Sequence, residues 1–203
     1  MRLYIIRHGE TEWNTVRRLQ GQTDIALNEN GRSLAEVTAR ALQDVSFDLA
    51  FTSPLIRAEE TARIILGQRE TPLIREERIR EISFGVLEGR SILPEYHEID
   101  DPEFHFFFDA PDKYHPPAGG ESIEELYRRT GDFLEELTRR EELRRDTLLV
   151  STHGAASRAL LANITGCSLR DFWGPGVPKN CAVSVADWQE EKWTLVMRDK
   201  VYY

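Results

Sequence analysis

Apolar positions along this chain follow two rhythms. Short apolar runs at Leu3–Ile6, Leu49–Thr52 and Leu148–Ser151 read as strands, the last being continuous enough for burial on both faces. Leu73-Ile74 is a shorter candidate of the same kind. Cys181–Ala186 and Thr194–Met197 read as a closing antiparallel pair, with Asp187–Lys192 as the loop between them. Elsewhere the period is helical. Asn30–Asp44 places Leu34, Val37, Ala41 and Leu42 on one face. Ser53-Pro54 predicts an N-cap and a first-turn proline for a helix that carries Ala58, Ala62 and Ile65 and ends at Gly67. Ser122 with Glu125 forms a capping-box pattern, after which Ile123, Leu126, Thr130, Phe133 and Leu137 line an inner face. A last helix runs from near Gly154 to Gly166.

Strands alternating with helices predict an α/β fold: a three-layer sandwich with a central, mostly parallel sheet, helices on both faces, and antiparallel strand pairing near the C-terminus. No linker, repeat or low-complexity stretch divides the chain, so 1–203 is expected to be a single domain. The segment from Arg90 to Gly120 breaks the pattern. It holds Pro94, Pro102, Pro111, Pro116 and Pro117 and the aromatics Phe104, Phe106, Phe107, Phe108 and Tyr114. A stretch this long is expected either to cap a site as lid or wall, or to pack as a small satellite core, and the two are compatible.

Composition narrows the function classes. Hydrophobic residues make up 40% and charged residues 30%, as in an ordinary soluble protein. The formal net charge of −9 argues against nucleic acid and anionic membranes as partners, and no apolar run is long enough to span a bilayer. The N-terminus lacks a signal-peptide pattern, and two cysteines, Cys167 and Cys181, make neither a disulfide framework nor a metal site. A cytoplasmic protein is expected. An anionic small molecule remains open to it, because a local cluster of arginines can make a positive pocket on an acidic protein.

The candidate chemistry sits where strands end. Arg7-His8-Gly9 follows the first strand, and His153-Gly154 follows Val150-Ser151 just where a helix begins. Adjacent parallel strands would bring these two histidines face to face, with the helix N-terminus adding backbone N–H groups to the same spot. Arg57 lies in the first turn of the next helix, where the macrodipole disfavours a cation, and a bound anion would offset that penalty. A surface ion pair with Glu59 or Glu60 is the competing account. Glu81 precedes an apolar, glycine-containing turn that would partly bury it, suiting a carboxylic acid able to hold a proton. His97, His105 and His115 are irregularly spaced in the proline-rich segment and are read as non-ligands; nothing in the pattern calls for a metal or other cofactor.

Several blocks in order then carry a resemblance. Arg7-His8-Gly9-Glu10-Thr11 with Trp13-Asn14, and Gln20-Gly21 through Asp24 and Leu27 to Gly31, form one. Thr52-Ser53-Pro54 with Arg57-Ala58 and Thr61-Ala62 form a second, and Glu81 with Phe84-Gly85 and Glu88-Gly89 a third. Gly119-Gly120-Glu121-Ser122 and Ser151-Thr152-His153-Gly154 with Arg158 complete the set. Together they cover nearly the whole chain and resemble the histidine phosphatase superfamily, which also contains the cofactor-dependent phosphoglycerate mutases.

The resemblance implies a two-step transfer. His8 would attack phosphorus and become phosphohistidine, which water hydrolyses. Arg7, Arg57 and His153 would surround the phosphoryl group, with Asn14 a further donor. Glu81 would protonate the leaving alcohol and later accept a proton from water. Gln20, Gly21, Gly154 and the backbone from Glu81 to Phe84 would line the substrate side. Mutases of the family tend to be longer and to carry a basic or aromatic pair after the acid; here Ile82-Ser83-Phe84-Gly85 follows it, which favours hydrolysis.

The expected substrate is a small phosphate monoester with little charge beyond the transferred group, because the Arg90–Gly120 segment is rich in phenylalanine and has Lys113 as its single lysine. A non-catalytic, phosphate-ligand-binding module is the third reading; the presence of His8, Arg7, Arg57, Glu81 and His153 together speaks against it. Trp173, Trp188 and Val201–Tyr203 are candidates for a dimer contact, with local packing of the last strand preferred, so monomer and homodimer both stay open. Gly174–Pro178 is read as a rigid loop with no chemistry.

Overall fold

The computed structural model describes residues 1–203. In chain order the elements are β1 (Arg2–Arg7), α1 (Glu12–Thr15), α2 (Glu29–Ala41), β2 (Leu49–Thr52), α3 (Ile56–Leu66), β3 (Leu73–Arg75), α4 (Phe106–Asp109), α5 (Ile123–Arg139), β4 (Thr147–Thr152), α6 (Gly154–Thr165), β5 (Val183–Gln189) and β6 (Lys192–Lys200). They build a six-stranded sheet of order β3-β2-β4-β1-β5-β6. The first four of that order pair in parallel, and β5 and β6 close the edge antiparallel. This is the expected three-layer sandwich.

Alternation along the central strands explains the two faces. Leu3, Ile5, Leu148 and Val150 pack against Phe133, Leu137, Leu160 and Leu161 of α5 and α6. Ile6, Ala50 and Leu149 point the other way, onto Leu42, Ala62 and Ile65 from the α2–α3 side. A third cluster joins Phe104, Phe107 and Tyr114 of the proline-rich segment to Ile123, Leu126, Ala155 and Ala159. That segment is therefore a satellite core, seated on the same helices that carry the main one.

Element ends depart from the sequence reading where local chemistry overrides pattern. Asn28 caps α2 through Gly31 N–H at 2.7 Å, starting it at Glu29 and ending it at Ala41, short of Asp44. Ser53 does not cap α3: Leu55 stands at the cap position, Ser53 Oγ accepts from Leu55 N–H, and Asp24 Oδ1 accepts from Ile56 N–H at 2.8 Å. A carboxylate from a distant loop thus satisfies the helix end, which sequence spacing does not reveal. The closing hairpin is longer than expected. Its strands run to Gln189 and from Lys192, joined by Glu190-Glu191 at φ 49° and 59°. Two left-handed residues make the tight turn that matches strand twist, but glutamates lack the usual Asn-Gly signature of it.

One buried ion pair ties the edge of the sheet to α6. Arg158, only 3% exposed, donates through Nη2 to Asp199 Oδ2 at 2.7 Å and through Nε to Gly176 O at 2.8 Å. Asp199 itself sits at φ 50° and takes its N–H to Ser184 Oγ. Asp199→Asn keeps the shape and tolerates that backbone while removing the charge. It is expected to cost about 2–3 kcal/mol, below the roughly 3–5 kcal/mol of losing a buried partner outright, because the amide oxygen still accepts. A lowered urea midpoint at unchanged slope is the readout.

Candidate active site

Parallel pairing sets Arg7 beside Thr152, so the residues that follow, His8 and His153, emerge together at the carboxyl edge of the sheet. Their ring centroids are 5.2 Å apart. His8 N–H donates to Thr152 O at 2.9 Å, and Ser53 N–H to Ser151 O at 3.0 Å, which brings the end of β2 to the same edge. Both imidazoles are buried, at 3% and 0% exposure. Gly9, whose N–H donates to Thr61 Oγ1 of α3, permits the turn out of β1; a Cβ there would lie 2.5 Å from Gly31 O.

His8 Nδ1 lies 2.6 Å from the carbonyl oxygen of Gly9, which can only accept. Nδ1 therefore carries the proton and Nε2 keeps its lone pair. Burial first, then the charges of Arg57 and Arg7, holds the ring far below its ordinary pKa, so it stays neutral. Burial and the same arginines, with His8, do this to His153 as well. His153 Nε2 is 2.7 Å from Ser53 Oγ, and its Nδ1 is buried without a partner.

Arg57 is fully buried and makes no pair with Glu59 or Glu60, which bind Arg63, Arg75 and Arg32 instead. Its Nη1 and Nη2 donate to Thr23 O at 2.8 Å and Gly21 O at 2.7 Å, and its Nε is left without a partner. Burial pulls its pKa down to about 10 against the attraction of Glu81 and Asp24. Arg7 is partly open to the cavity. Its Nη1 donates to Pro178 O, its Nε is unpartnered, and burial lowers its pKa against Glu81. The Gly174–Pro178 loop, expected to be inert, thus positions one of the two guanidinium groups.

The N-terminus of α6 is not free for a ligand. Ala155 N–H donates to Glu81 Oε2 at 3.2 Å, and Ala156 and Ile82 N–H to Oε1 at 3.0 Å each. Glu81 is half-buried before the apolar turn, as expected, and three backbone donors, one of them from that turn, grip its carboxylate. A Cβ on Gly154 would lie 3.5 Å from Glu81 Oε2 and 3.8 Å from Arg7 Nε, so the glycine leaves open the space between acid and guanidinium. The Glu81 carbonyl is held by Gln22 Nε2 and by Arg129, itself paired with Glu121 at 2.6 Å. Glu88 fastens the two loops together, accepting from Gln22 N–H, Thr23 Oγ1 and Phe84 N–H.

These groups open into a cavity of about 740 Å³ whose lining includes Arg7, His8, Asn14, Gln20, Gly21, Arg57, Glu81, Phe84 and Gly154; His153 lies behind it, against His8. Asn14 Oδ1 accepts from Thr11 and from Asn180 Nδ2, so its amide nitrogen is the part left to donate. Gln20 is buried with Oε1 unpartnered. Ile92, Phe107 and Phe108 make the proline-rich segment a wall of the cavity as well as a core.

Sequence reasoning missed other lining residues. Asn180 donates to His8 O at 3.1 Å, and Tyr203 Oη to Asn180 O at 2.7 Å, which places the C-terminal tyrosine at the rim rather than in strand packing alone. Trp173, a dimer candidate from sequence, is buried, with its Nε1 on Phe107 O. Trp188 does pack locally, 5.3 Å from Trp193 across the hairpin. A surplus tyrosine at a chain end carried no periodic signal that could have placed it.

Comparison with known proteins gives a consistent picture. Residues 3–200 match the model of the histidine phosphatase superfamily (branch 1). Phosphoserine phosphatase 1 of Hydrogenobacter thermophilus is 33% identical over 192 residues, 95% of this chain and 89% of that protein. A probable phosphoglycerate mutase, GpmB, of Photorhabdus laumondii is 35% identical over 193 residues, 95% and 87% respectively. The solved structure of Bacillus stearothermophilus YhfR aligns with a TM-score of 0.90 at 32% identity, over 98% of this chain and 97% of that one.

Holding two histidines neutral makes stability depend on pH. The unfolded chain protonates them near pH 6.5 and the folded one does not, so the folded state is fully favoured above that value and loses stability as pH falls below it. Between pH 6.5 and 5 each ring is expected to contribute a slope of up to about 1.4 kcal/mol per pH unit. Urea titrations across that window should show the slope reduced in His153→Asn; an unchanged slope would mean the rings are not the source.

Proposed function

We propose that this chain, which belongs to the histidine phosphatase superfamily, is a phosphatase that hydrolyses small phosphate monoesters through a phosphorylated His8. One observation carries the reading: Arg7 Nε, Arg57 Nε and His153 Nδ1 are buried without partners, on two residues whose charges bear on His8 and a third whose ring lies 5.2 Å from it. Unpartnered buried donors are costly, and several together suit a ligand rich in acceptors. A phosphoryl group offers three oxygens whose charge must be stabilised throughout transfer, and rigid guanidinium and imidazole donors supply that stabilisation.

In this reading Nε2 of neutral His8 attacks phosphorus while the P–O bond to the leaving alcohol breaks. Glu81 gives that oxygen a proton. Water then attacks the phosphohistidine, the P–N electron pair returns to Nε2, and Glu81 takes the water proton. Ser53 Oγ, accepting from Leu55 N–H, gives its own proton to His153 Nε2 and so leaves Nδ1–H for the phosphoryl group. The amide nitrogen of Asn14 is a further donor. Gln20 Oε1 supplies an acceptor to the leaving group, which Gly21 and Phe84 flank.

The relative named as a probable phosphoglycerate mutase favours one second reading, return of the phosphoryl group to another hydroxyl of the substrate. The turn after Glu81, Ile82-Ser83-Phe84-Gly85, brings no cation for a second anionic group and weighs toward water as acceptor.

The test is phosphate release, in the presence of chelator, from phosphoserine, 3-phosphoglycerate and p-nitrophenyl phosphate. Release by the wild type and none by His8→Ala is the expected result. Glu81→Gln should lose about 10²–10⁴-fold on phosphoserine and less on p-nitrophenyl phosphate, whose leaving group needs no proton. Conversion of 3- to 2-phosphoglycerate without release would make the enzyme a mutase, and silence across the panel would leave only a binding role.

A further inference from the structure

A second cavity, of about 480 Å³, lies within residues 91–108, and Ile92 and Phe108 line both it and the cavity that holds His8. The two spaces are therefore neighbours across two apolar side chains. Most of its polar lining is already engaged, the exposed His97 ring being the exception. Glu98 accepts from Arg18 at 3.0 Å and from Ser91 N–H at 2.9 Å, Asp101 from Glu103 N–H, and His105 Nδ1 bonds to Pro102 O. Leu93, Pro94, Ile99 and Phe104 supply apolar lining.

Charge and exposure point the same way. Glu98 and Asp101 line this cavity and no lysine or arginine does, Arg18 being taken up by Glu98; Arg17, Arg18 and Lys179 line the His8 cavity instead, so counter-charge for an anion lies there and not in the second space. Phe104 and Phe107 are buried in the aromatic cluster, whereas Phe108, 4.9 Å from Phe107, is 38% exposed and Ile92 is 37% exposed. These are the apolar surfaces left uncovered between the phosphoryl end and the second cavity.

We propose that the 91–108 cavity is the subsite for the leaving group, and that the preferred substrates are phosphate monoesters of apolar alcohols whose chain or ring passes Ile92 and Phe108 to reach it. This rests on the phosphatase reading and deepens it. The phosphoryl group is gripped by charge at the sheet edge, and selectivity comes from apolar area buried on the proline-rich segment.

A homologous series of n-alkyl phosphates from methyl to octyl, each below its micellar concentration, tests this by the kcat/KM for phosphate release. The expected result is a rise of up to about fourfold for each methylene that becomes buried. In Leu93→Asp, which alters the second cavity alone, the octyl-to-methyl ratio should fall toward one. That ratio is taken within one preparation, so the fraction of folded enzyme cancels. Measurable hydrolysis with no dependence on chain length overturns the subsite and leaves the phosphatase standing. A chain-length rise that Leu93→Asp does not reduce overturns its placement. No release from any ester overturns the phosphatase reading and this inference with it.

Discussion

Placing two guanidinium groups beside one imidazole under the end of a sheet is electrostatically unfavourable, and much of the architecture is arranged to tolerate it. Burial lowers the pKa of both arginines, and the charge of Arg7 adds to the lowering at Arg57. Two loops from separate parts of the chain answer with carbonyl oxygens: Gly21 and Thr23 for Arg57, Pro178 for Arg7. Glu81 supplies the opposing charge and is in turn held by the N-terminus of α6. Each cation keeps its buried Nε–H without a partner, so the compensation stops short of saturating the site. A pocket assembled this way is complete in charge only when an anion enters it.

That arrangement divides labour between elements. The sheet fixes His8 and His153 through strand register, which tolerates little movement. The loops that hold the arginines are themselves clamped, Gly21–Thr23 by Glu88 and Gly176–Pro178 by Arg158. The proline-rich segment contributes to the cavity wall through a core shared with α5 and α6.

The fold was legible because its signals are periodic. Continuous apolar strands, the Ser122–Glu125 capping box and Gly166 each announce an element through residues close in sequence. Arg7, His8, Arg57 and His153 could be brought to one edge because they stand at strand or helix ends, whereas Glu81 lies in the loop beyond β3 and was singled out by the apolar turn that follows it. What stayed hidden was long-range and carried by backbone. Asp24 capping α3, Pro178 O on Arg7 and the grip of α6 on Glu81 involve partners 32, 171 and 74 residues apart. A carbonyl belongs to every residue type, so no side-chain pattern can advertise which one will be used. Tyr203 and Asn180 were missed for the same reason: the antiparallel edge folds them back over β1, and nothing local to them says so.

The tautomer of His8 has an unusual guarantor. Its proton is held at Nδ1 by the carbonyl of the very next residue, with no third side chain acting as orienter. That carbonyl belongs to Gly9, which packs so closely on Gly31 at the start of α2 that neither position has room for a methyl group. The electronic state of the imidazole is thereby inherited from a contact between two stretches of bare backbone. Side chains around the pocket can drift over evolutionary time, or be redesigned, while the imidazole's tautomer is insulated from the change.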